Sequence, residues 1–92
     1  MIICEIGLNH LGSEKMALEY IGGVVNTKAD AVTFQLLKDS FFERQEYKKY
    51  RLRREFFLEA LSETKSGGKK FGAAIDDENY VDELERHEID FY

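Results

Sequence analysis

Apolar positions recur with two different spacings along this chain, and the changeovers mark its elements. Residues 2–6 form a largely β-branched run interrupted by one carboxylate. This predicts a strand with Ile3, Glu5 and Gly7 on one face and Ile2, Cys4 and Ile6 on the other. Ser13 is placed to cap a helix, with Glu14 in its first turn and Ala17, Tyr20, Ile21, Val24 and Val25 along one side. Gly22 and Gly23 weaken such a helix by about 1 kcal/mol each relative to alanine, which predicts that they serve close packing against a sheet. Asn26 and Lys28 suit its end. Residues 31–37 predict a second strand. Ala31, Thr33 and Gln35 share one face, while the bulkier Val32, Phe34 and Leu36 share the face expected to meet helices.

The second half is less regular. Between residues 39 and 54 aromatic side chains are scattered among charges, which predicts a long loop holding some helix; loops of this length are usually functional or poorly ordered. Residues 54–65 carry Phe57, Ala60, Leu61 and Thr64 on one helical stripe, ended by Gly67 and Gly68. Residues 70–75 read as a third strand, weakened by Gly72. Asp76 or Asp77 then caps a helix bearing Tyr80, Val81 and Leu84, and residues 89–92 look like the opening of a fourth strand. Strict strand–helix alternation implies an α/β fold with a parallel sheet and right-handed crossovers. The unit length suits a (β/α)8 TIM barrel, with residues 1–92 expected to supply its first three to four units as one partial domain. A closed barrel takes about 250 residues. The expectation is therefore a fragment or a truncated product whose bare sheet edges favour a homo-oligomer.

Bulk properties narrow the function classes. A net charge of −5 argues against a dedicated nucleic-acid or membrane binder. No apolar run approaches the roughly 20 residues of a membrane helix, and the start has no signal-peptide pattern. The single cysteine cannot form an internal disulfide, so a cytoplasmic location is expected. Cys4, opposite Glu5, reads as a small buried apolar group.

Candidate chemistry gathers where ligands meet parallel α/β folds, at the carboxyl ends of the strands. By alternation Glu5, Thr33 and Gln35 face one interior. Either they form a polar substrate site, with the carboxylate and amide bonding sugar hydroxyls and Glu5 able to act as a base, or Glu5 and Gln35 pair inside a barrel layer. Asn9 and His10 precede a helix amino end whose amides suit an anion or sugar oxygens. His10 serves equally well as a loop organiser, since no second metal ligand lies at useful spacing; His87 sits on another helix. The run from Lys48 to Arg54 holds five cations, fit for a phosphate, for a nucleic-acid backbone, or for a solvated face attracted to the acidic end of the chain.

Two motifs also carry a resemblance. Glu5-Ile6-Gly7-x-Asn9-His10-x-Gly12 and, one helix later, Ala29-Asp30-Ala31-Val32-x-Phe34-Gln35 resemble the A-E-I-G-x-N-H-x-G and G-A-D-A-V-K-F-Q patterns of the sialic acid synthase family. For an intact member the resemblance implies condensation of phosphoenolpyruvate with an N-acyl hexosamine such as N-acetylmannosamine. It also implies a divalent metal, manganese or magnesium, that polarises the sugar carbonyl. Positions matching Glu5 and Gln35 would contact the amino-sugar. The position of Thr33 is normally a lysine that holds phosphoenolpyruvate, so here the charge is missing, and Lys38, five residues on near the barrel mouth, is the candidate to reach in. The third strand departs too, with Ala73-Ala74-Ile75-Asp76-Asp77 in place of a hydroxyl-rich ending. The family's metal ligands come from later strands. Two rival readings stand beside this one: a non-catalytic, degenerate relative that oligomerises through its sheet edges, and a barrel enzyme of the aldolase type.

Overall fold

Strand β1 (Ile3–Gly7) pairs in parallel with β2 (Ala31–Leu36), and β2 with β3 (Lys70–Ile75), in a computed structural model that describes residues 1–92. Helix α1 (Glu14–Val25) makes the first crossover and α3 (Arg54–Ser66) the second. The segment between β2 and α3 holds α2 (Asp39–Phe42) and a 3₁₀ turn at Lys48–Tyr50. After β3 come a 3₁₀ turn at Glu78–Tyr80 and α4 (Val81–Arg86). This is an open, three-stranded run of parallel βα units.

The predicted parity of β2 organises the packing. Val32, Phe34 and Leu36 have no exposed surface and sit in one cluster with Ala17 and Ile21 of α1 and Phe56, Phe57, Ala60 and Leu61 of α3. Phe34 is the hub, with ring centroids 5.8 Å from Phe71, 6.1 Å from Phe57 and 6.4 Å from Phe56. Caps close the elements where the sequence predicts them. Ser13 Oγ accepts from the Met16 amide at 3.1 Å, and Asp77 Oδ1 accepts from the Asn79 amide at 3.0 Å.

Two expectations change. Gly22 and Gly23 do not pack against the sheet: both are exposed, and a Cβ on either would meet nothing within 4 Å. The buried side of α1 runs through Ala17 and Ile21, leaving the glycine pair toward solvent. The close approach is instead at Gly67, where a Cβ would lie 2.4 Å from the Val25 side chain. The fourth strand is reduced to one parallel bridge between Gly72 and Phe91, held by the Ala73 amide donating to the Phe91 carbonyl at 3.2 Å.

Candidate functional site

The register sets Glu5 beside Thr33, and Thr33 beside Gly72. These positions share the face turned away from the helices. There the Thr33 hydroxyl donates to Glu5 Oε2, orienting the carboxylate. Immediately after Glu5 the ladder slips, so that Gly7 rather than Ile6 opposes Phe34. This bulge keeps Ile6 in the core and ends the strand at Gly7, whose φ is +56°. A side chain at Gly7 would be strained there. It would also fill the space at the carboxylate, because its Cβ would stand 3.0 Å from Glu5 Oε1 and 3.8 Å from Gln35 Cδ. Glu5, Thr33 and Gln35 therefore converge on one small space that glycine leaves open. On the same side, a Cβ on Gly72 would strike the Phe91 ring at 2.3 Å, so that ring forms an apolar wall beside Thr33. Sequence reasoning missed Phe91. Its only signal was a glycine paired with the site threonine.

Of the other candidates, His10 lines a cavity together with Gln35 of this trio. Asn9 and Lys38 are exposed. His10 is buried on the helix side, with its ring stacked on Phe34 at 6.2 Å. Its Nδ1 accepts from the Gly12 amide at 2.9 Å, the loop-organising contact. Burial lowers its pKa, so the ring is neutral at pH 7 and carries its proton on Nε2. The basic run meets acids: Arg51 pairs with Asp39, Arg54 lies 3.5 Å from Glu83 and stacks on Tyr80, and Arg53 grips Glu14 with two donors at 2.6 and 2.7 Å. Those two bonds draw the Glu14 pKa down.

What the trio can do follows from its groups. A carboxylate held by one hydroxyl retains lone pairs for further donors, and an amide offers both a donor and an acceptor. Together they suit vicinal hydroxyls or an N-acyl group. The trio supplies no cation, so it does not by itself hold a phosphate. Nor do the residues of this chain fit a divalent metal on their own, for no three His, Cys, Asp or Glu side chains gather around one point.

No family model matches the chain, and no curated protein does. Solved structures do. The N-acetylneuraminic acid (sialic acid) synthetase of Leptospira borgpetersenii, solved with citrate, superposes with a TM-score of 0.81 at 28% identity, covering 96% of this chain and 33% of that one. Over that third, this chain is built like a sialic acid synthetase. A protein of Chromobacterium violaceum described as spore coat polysaccharide biosynthesis protein E superposes at 0.77 with 24% identity, covering 96% of this chain and 31% of that one. The second likeness shows the fold alone. The chain thus spans about a third of the length of the structures it matches. The likeness to the sialic acid synthetase agrees with the family suggested by the two motifs. No helix is long and apolar enough to cross a membrane.

Proposed function

We propose that this chain carries the sugar-facing part of a sialic-acid-synthase-like site in sugar biosynthesis, in which an N-acyl hexosamine such as N-acetylmannosamine is joined to phosphoenolpyruvate. The observation that carries this reading is the convergence of Glu5, Thr33 and Gln35 over Gly7. The likeness to a sialic acid synthetase supports the substrate class. In this reading Glu5 accepts from a sugar hydroxyl and can take up its proton, Thr33 fixes the carboxylate, and Gln35 bonds the acyl amide. In that reaction a divalent metal would polarise the sugar carbonyl, and this chain brings no ligand set of its own for it.

Titration of the protein with N-acetylmannosamine is expected to show saturable binding that Glu5→Gln weakens. Phosphate release from phosphoenolpyruvate, with sugar and manganese present, reads the reaction itself. Absence of both sugar binding and phosphate release would overturn the proposal. Thr33 favours a second reading, a sugar-binding relative without the condensation, because the expected lysine charge is gone. Thr33→Lys separates the two. A charge-assisted contact is worth roughly 1.5–3 kcal/mol, so the variant should gain roughly 10- to 100-fold in phosphoenolpyruvate affinity if the rest of that pocket is intact. No gain would favour the non-catalytic relative.

A further inference from the structure

The last residues bring an aromatic ring to the inner face of the sheet, where the core does not call for one. Thr33 pairs with Gly72, and Gly72 is bridged in parallel to Phe91. A Cβ on Gly72 would lie 2.3, 2.5 and 2.7 Å from three carbons of the Phe91 ring, so the ring occupies the place of the missing side chain. Its backbone is anchored. The Asp90 amide donates to the Phe71 carbonyl at 3.0 Å, Asp90 Oδ2 accepts from the Phe71 amide at 2.8 Å, and the Phe91 carbonyl accepts from the Ala73 amide at 3.2 Å. The Tyr92 hydroxyl, donating to Glu85 Oε1 at 2.7 Å, ties down the next residue. The ring is therefore seated before any ligand arrives. Yet Phe91 is only half-buried, and it belongs neither to the buried core cluster nor to the side chains packed against it. Apolar surface left unpacked beside a carboxylate and an amide suits a ligand that is polar on one edge and apolar on the other.

We propose that Phe91 is a specificity-determining residue of the sugar-facing site, its ring receiving the acyl methyl group of an N-acyl hexosamine. This deepens the sugar reading and rests on it. Glu5, Thr33 and the ring over Gly72 follow one another across the sheet, so a ligand lying over β2 meets the carboxylate on one side and the ring on the other. Gln35 is the next inward position of β2 after Thr33, about 6–7 Å along the strand. An acyl amide bonded at Gln35 can turn its methyl toward the ring across that distance. A sugar with a hydroxyl in place of the acylamino group buries no methyl there, and its hydroxyl meets carbon instead of a hydrogen-bonding partner.

The test is a pair of calorimetric titrations, N-acetylmannosamine against mannose, read as the ratio of the two affinities. A general loosening of the fold would weaken both sugars and leave that ratio alone. The wild type should favour the N-acyl sugar, and Phe91→Ala should cut the preference about 4-fold or more, the worth of one buried methyl group. Gly72→Ala drives a methyl group into the seat of the ring with Phe91 unchanged, and should cut the ratio likewise; it decides the matter if Phe91→Ala does not fold. In the NMR spectrum of bound N-acetylmannosamine the acetyl methyl signal should move upfield under the ring. Phe91→Leu keeps apolar bulk and should remove that shift. No preference in the wild type, an unchanged ratio in either folded variant, or an unshifted methyl signal overturns the role of Phe91 while the sugar reading stands. Binding of neither sugar overturns the sugar reading and this inference with it.

Discussion

At the scale of single residues, His10 illustrates how burial becomes a pH response. Desolvation lowers its folded-state pKa, so the native protein resists a proton that the unfolded chain accepts near its ordinary value of about 6.5. The unfolded state then binds more protons below that pH. Stability is full above about pH 6.5 and is lost as pH falls. Urea midpoints at pH 7.5 and 5.5 should drop further in the wild type than in His10→Asn. Equal drops would assign the acid sensitivity to other groups. The trio shows what single residues disclose in sequence. Glu5, Thr33 and Gln35 could be assigned to one face because strand alternation is a local rule. The burial of His10 could not be read, because it depends on Phe34, which is distant in sequence and meets His10 only after the first crossover forms.

At the scale of elements, the strands, the caps and the end of α3 at Gly67 were legible, and the setting of Gly22 and Gly23 was not. Phe34 sits where period-two alternation places a core residue, and its aromatic neighbours come from two elements, α3 and β3. Glycine leaves no such pattern, because its use depends on what another part of the chain brings close. Gly12, at φ +81°, lies so near the 3₁₀ turn that a Cβ would fall 1.8 Å from the Lys49 carbonyl oxygen. Gly12→Ala is therefore expected to destabilise by about 2 kcal/mol or more, through backbone strain and the clash together. Gly22→Ala and Gly23→Ala should each stabilise by about 0.5–1 kcal/mol, since both lie exposed within α1 with free space around them. Urea unfolding of the three variants checks both signs. A neutral Gly12→Ala would mean that the turn at Lys48–Tyr50 yields freely.

At the scale of the whole molecule, the sheet is open on both sides. β1 has no partner beyond β2, and β3 is bridged on its outer side only at Gly72. Ile3, on the outer strand, is 45% exposed. Unpaired parallel edges of this kind recruit further strands. Self-association that grows with concentration is the expected behaviour, read by light scattering across a dilution series. Ile3→Lys puts a charge on the edge and should shift the series toward monomer. A wild type that stays monomeric at every concentration would show that the edges are protected some other way. The barrel-like fold was legible from the strand–helix rhythm. The extent of the last strand was not, since Phe91 is held by a single bridge that depends on the missing side chain at Gly72.

The meeting of Gly12 with the Lys49 carbonyl carries a lesson for grafting. Two stretches separated by a full crossover are keyed to each other through a main-chain oxygen, so the later stretch is recognised by its path rather than by its letters. A transplanted loop of quite different composition should seat correctly if its backbone passes the same point. A close copy with one residue inserted ahead of Lys49 should not.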